Sequence, residues 1–137
     1  MYVNTDLLFG AILFIPLFGS FTFNLAYYYC YYFKCVTITD NMISIFELKN
    51  LKTTTVNFEE ISGYSTSEIF FGKCTWKSKS IVIYFKSGKV SEIVDAYTNN
   101  IDELEKELRR KEVKYLGFEN FMTDWFYRKY KFSKSQE

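Results

Sequence analysis

The sequence contains no histidine. That removes the side chain that most often serves as general base, proton shuttle and metal ligand near neutral pH. Ser–His and Cys–His nucleophile pairs go with it. Cysteine is scarce: Cys30, Cys35 and Cys74 form an odd set without C-x-x-C spacing, which argues against a disulfide framework or a zinc centre. They read as small apolar residues, with Cys35, just beyond an apolar run, a candidate for lipidation. Glycine-rich phosphate loops and nucleophile motifs are missing. The acidic pairs Glu59–Glu60 and Asp102–Glu103 are adjacent in sequence and do not converge on one point. These absences exclude the common catalytic constellations, so neither an enzyme activity nor a metal or cofactor is expected.

Charge is missing from the opening of the chain. Asp6 is the sole charged side chain before Lys34, and all 17 Lys and Arg fall from Lys34 onward. The net charge of +1 hides that asymmetry: from Lys34 onward 17 basic residues face 15 acidic ones, a mixed surface of net charge +2 that does not suggest a nucleic-acid binder.

What the opening does hold is a long uncharged run. An export signal is a poor reading of it, because "MYVNTD" has no basic residue and the run ends in tyrosines without a small-residue cleavage site. Leu7–Ala26 has the length of one membrane-crossing helix. Tyr27, Tyr28, Tyr31 and Tyr32 would then lie at headgroup depth. A pair of buried strands, or a helical hairpin kinked at Pro16–Gly19, are the alternatives. The span is the expectation, and the lysines beyond it place the remainder in the cytoplasm, as a single-pass inner-membrane protein. The division is a membrane anchor over 1–33, a domain over 34–118 and an aromatic, basic tail over 119–137.

Beyond Lys34 the pattern changes to short alternating segments. "CVTITDNMISIFEL" predicts two strands turning at Asp40–Asn41, and "KSIVIYFKSGKVSEIVDAY" a hairpin turning at Ser87–Gly88. "TTTVNFEEISGYS" and "EIFFGKCTW" predict further strands, the latter bulged at Gly72. "NNIDELEKELRRK" predicts a helix with Asn100 as N-cap and Glu103 at N3. Ile101, Leu104 and Leu108 give it one apolar stripe. Asp102 and Glu103 open it and Arg109, Arg110 and Lys111 close it, which matches the helix dipole.

The segment "TITDNMISI…TTVNFEEISGY…KSIVIYFKSGKVSEI…TNNIDELEKEL", about Val36 to Phe118, resembles bacterial pleckstrin-homology-like (PH-like) domains that follow an amino-terminal membrane segment. The resemblance rests on strand order, two hairpins and the closing helix. It implies an α+β fold: a transmembrane helix, then an antiparallel β-barrel or curved sheets capped by one amphipathic helix. Asp40 and Asn41 stand where phosphoinositide-binding members of the wider group carry a basic pattern, which argues against inositol-phosphate recognition.

Two basic clusters are candidate binding surfaces, Lys49 with Lys52, and Lys73, Trp76, Lys77 and Lys79. In "GFENFMTDWFYRKYKFSKSQE" a helical reading gathers aromatics on one side, followed by basic residues. Trp125, Arg128, Lys129 and Lys131 are therefore either an interfacial segment on anionic lipid or a tail packed on the domain. The function expected is a membrane-anchored, non-catalytic binding module that engages a protein partner or membrane lipid. The alternative is a small anchored scaffold or an inhibitor of the immunity type that neutralises another factor.

Overall fold

Alternating β-branched and polar residues build the first sheet. The computed structural model describes residues 5–70, 77–98, 100–124 and 127–133, with side chains at 5–9, 11, 13, 28, 124 and 127 excepted. The chain divides into two compact units, Met1–Tyr31 and Tyr32–Glu137. In the second unit β1 (Lys34–Ile38), β2 (Met42–Glu47) and β3 (Lys52–Asn57) form an antiparallel meander. The first turn falls at Asp40–Asn41 as expected. Val36, Ile43 and Ile45 point into the core, while Thr53 and Thr55 stay exposed.

The second sheet holds β4 (Ile61–Phe70), β5 (Lys77–Phe85), β6 (Val90–Val94) and β7 (Tyr115–Glu119) in the order β6-β5-β4-β7. A one-turn 3-10 segment, Phe58–Glu60, separates β3 from β4. Two stretches expected as separate strands meet in the single ten-residue β4. Gly72, the expected bulge, and Cys74 lie outside the described residues. The β5–β6 turn uses Gly88 at φ 83°, a conformation glycine adopts without steric cost.

Helix α2 (Ile101–Arg110) buries the predicted stripe of Ile101, Leu104 and Leu108 against Ile81, Ile83 and Ile93. Asn100 precedes it but makes no side-chain cap. Its Nδ2 instead donates to Val36 O at 3.4 Å, and Thr98 Oγ1 donates to Lys34 O at 2.8 Å.

Those two bonds explain a correction. Carbonyls of β1 are taken by side chains of the β6–α2 connection instead of by a neighbouring strand. Among the described residues, β1–β3 and β4–β7 therefore remain open sheets, and the expected closed barrel does not form. Nor is the second sheet wholly antiparallel. The chain passes from β6 through α2 to lay β7 parallel to β4.

The tail corrects a second expectation. Among the described residues it is not helical: after β7 come β8 (Met122–Asp124) and β9 (Tyr127–Lys129), paired as a two-stranded hairpin. Aromatic residues favour extended chain.

The opening run does form a helix, α1 (Thr5–Tyr32). Among the described residues, however, no helix is long and apolar enough to cross a membrane. From Phe14 to Tyr32 the apolar residues are diluted by Pro16, Gly19, Ser20, Thr22, Asn24 and the tyrosine cluster. Thr22 Oγ1 and Asn24 Nδ2 turn back onto the carbonyls of Phe18 and Ser20, at 2.7 and 2.8 Å. The transmembrane anchor and the single-pass inner-membrane location are therefore not supported.

Candidate binding groove

Four connections meet at one end of the two large sheets: the β1–β2, β3–β4 and β5–β6 turns and the exit from α2. Between them opens a groove of about 710 Å³. Its floor is apolar, made of the buried Phe58 and Ile61 and the half-buried Val113. Its rim carries Lys86, Lys111 and Lys114 against Glu59 and Glu112, with Asn41, Asn57 and Ser62 between them.

Local backbone geometry makes this groove. In β4, Ile61 pairs with Phe85 and Gly63 with Tyr84, so Ser62 is an extra, bulged residue. A Cβ on Gly63 would lie 2.9 Å from both Lys114 O and Leu116 Cγ. Glycine therefore permits the close approach that lets Tyr64 N donate to Lys114 O at 2.9 Å. On the other wall α2 ends in a Schellman motif. Val113 N donates to Leu108 O and Glu112 N to Arg109 O, both at 3.0 Å. Glu112 occupies the left-handed position at φ 56°, where a non-glycine residue costs about 1–2 kcal/mol. Glu112→Gly is expected to raise stability by roughly 0.5 to 1 kcal/mol in urea unfolding, because relieved strain outweighs the added freedom of the unfolded chain.

Lys111 lines the groove over an aromatic floor. Its Nζ lies 5.7 Å from the centre of the Phe58 ring and donates to Asn41 Oδ1 at 3.4 Å. Lys86 and Lys114 are exposed. Such an arrangement suits an apolar side chain on the floor and a carboxylate or phosphate at the rim.

The lysines expected from sequence lie elsewhere. Lys49 and Lys52 sit where β2 passes to β3, at the far end of those strands, with Lys52 in register with Glu47. Lys77 opens β5, the groove lysine Lys86 follows its close, and nine residues of strand are about 30 Å long. Lys77 pairs with Glu68 at 3.2 Å and lies over the Phe70 ring. Lys79 bridges Glu105 at 2.6 Å and Asp102 at 3.0 Å, clamping α2 to β5. The bond to Glu105 raises the Lys79 pKa, and the same bond lowers that of Glu105. Lys73 and Trp76 lie outside the described residues.

Of the residues expected at a membrane interface, Tyr27 is exposed and stacks on Tyr31 at 6.1 Å. Tyr32 is buried against Tyr97 at 6.3 Å. Tyr28 and Trp125 have no described side chain. Lys129 and Lys131 are exposed. Arg128, expected within a surface cluster, is buried, its side chain 1% exposed. It meets Glu92 and Glu119 on the face of the second sheet turned away from the core. Sequence reasoning missed both acids, although Glu92 inside the apolar "VSEIV" was a visible signal.

No family model matches this chain, nor does any curated protein or any solved structure.

Proposed function

We propose that this chain is a non-catalytic, PH-like binding module whose groove takes an acidic, partly apolar segment of a protein partner. The observation that carries the reading is the pairing of an apolar floor, Phe58 and Ile61, with three lysines on one rim. Pockets that bind with specificity combine apolar walls with a few placed polar groups. The strained Glu112 beside the lysines supports it as well, since backbone strain concentrates at functional positions. Two glutamates on the same rim disfavour a flat anionic surface, which would approach both. They suit a short segment that meets the lysines and avoids the acids. The PH-like reading draws on the two antiparallel hairpins followed by an amphipathic helix.

The test uses fluorescent ten-residue peptides that mix Asp and Glu with Phe and Leu, against the intact chain. Lys86→Glu with Lys114→Glu is expected to weaken binding at least tenfold, about 1.4 kcal/mol. Added salt weakens it in the same direction. Equal binding of charge-reversed peptides, or indifference to the double substitution, would reject the groove.

A further inference from the structure

A buried polar cluster on the reverse face of the second sheet has no part in the groove. Along β4, β5 and β6 the register turns Ser67, Ser80, Tyr84 and Glu92 to this face, and β7 adds Glu119. Glu92 and Glu119 are 2% and 1% exposed. The guanidinium of Arg128 sits between them. Its Nη2 donates to Ser67 Oγ at 2.8 Å and its Nη1 to Asn120 O at 3.2 Å. The rings of Phe121 and Tyr130 flank it, with centres 4.4 and 5.5 Å from Cζ. Ser80 Oγ donates to Glu92 Oε1 at 3.0 Å, and Tyr84 OH donates to Glu119 Oε2 at 2.7 Å. The pocket thus has the acceptors, the charge and the aromatic walls that a guanidinium needs.

The chain's own arginine fills this pocket loosely. Nε lies 3.5 Å from Glu92 Oε1, and Nη2 lies 3.5 Å from Glu119 Oε1. A well-fitted pair would close to about 2.7–2.9 Å. Among the described residues, the buried Nε has no hydrogen-bond partner. Two carboxylates face one guanidinium. Burial raises the Glu92 pKa, with Arg128 the main opposing influence. The hairpin that delivers Arg128 is tied to the sheet by side chains and not by strand pairing. Among the described residues, β8 and β9 pair with each other and not with the large sheet. Side chains hold the hairpin there, with Lys131 N on Glu119 Oε2 at 3.3 Å.

We propose that this face is an arginine-recognition site, which accepts an arginine from an extended segment of a partner protein in exchange for Arg128. Exchange leaves both carboxylates compensated, since one guanidinium replaces another. Release of the hairpin breaks no strand ladder to the sheet. The partner segment carries arginine next to an aromatic residue, as the chain's own Phe121, Arg128 and Tyr130 do. This site is independent of the lysine-rimmed groove.

The probe is a ten-residue peptide with one arginine between Phe and Tyr, beside its lysine and citrulline counterparts. Arg128→Lys keeps a cation between the carboxylates but vacates the planar fork. The arginine peptide is expected to bind that intact variant about tenfold more tightly than the unchanged chain. The lysine and citrulline peptides are expected to bind at least tenfold more weakly, and Glu119→Gln to abolish binding. Equal affinity for citrulline, or no binding to a folded Arg128→Lys chain, overturns the proposal. Should that variant not fold, hydrogen exchange on the unchanged chain decides. Saturating arginine peptide accelerates amide exchange at Arg128 and Lys129 if the hairpin is displaced, and unaltered exchange overturns the proposal. A concentration-dependent dimer that Arg128→Lys abolishes would assign the site to a second copy, and also overturns it.

Discussion

Replacing Arg128 by alanine is expected to lower the stability of the intact chain by about 3–5 kcal/mol at neutral pH. That is the range for removing one member of a buried ion pair. The loss comes from what stays behind, since Glu92 and Glu119 would keep their burial without the guanidinium. The pH dependence follows from Glu92. Burial raises its folded pKa above the unfolded value. A group so raised favours the folded state when protonated, and that contribution is lost as pH rises through the folded pKa. Arg128 opposes the rise, so its removal pushes the Glu92 pKa higher still. Urea unfolding of Arg128→Ala should show the full penalty near pH 7–8 and a smaller one near pH 4–5. A penalty that is the same at both would mean that uncompensated carboxylates are not its cause.

Leu104→Ala is the second large effect, expected to cost about 2–5 kcal/mol. Leu104 is fully buried at the centre of the α2 stripe, packed with Leu108 and the isoleucines of β5 and β6. Truncation removes the transfer free energy of its lost atoms and leaves a cavity that a sheet-backed site cannot collapse to fill. The exposed Lys106 on the same helix is the comparison, and Lys106→Ala should stay within roughly 0.5 kcal/mol. Because α2 delivers Lys111 and Lys114 to the groove, Leu104→Ala should also weaken acidic-peptide binding where Lys106→Ala does not. Chemical unfolding and peptide titration of both variants check the pair.

Much of the domain was legible because its cues are local. The β5–β6 hairpin announces itself through alternation and Ser87–Gly88, and α2 through Ile101, Leu104 and Leu108. Both are found where expected. What escaped depends on partners distant in sequence. Arg128 stands among basic and aromatic residues that suit a surface, and only the fold sets it between Glu92 and Glu119. The lysines near Trp76 drew attention by proximity in sequence, yet Lys79 is spent on the α2 clamp. The groove lysines come from two separate connections, and in sequence the helix dipole alone accounts for Lys111. Glu112 in a left-handed conformation leaves no trace in composition. Side-chain bonds from Thr98 and Asn100 to β1 kept the sheets from closing, and no propensity rule foresees them. In the opening run, length and absence of ions outweighed the tyrosines and the polar residues after Pro16.

The most direct measurement is a titration of the isotope-labelled intact chain with an acidic-apolar peptide, read amide by amide in NMR spectra. Shifts that saturate together at Asn41, Phe58, Ile61, Lys86 and Lys111–Lys114 are expected, with Lys49, Lys52 and Lys77 unmoved. Shifts confined to those last three lysines, or none at saturating peptide, would contradict a groove that binds.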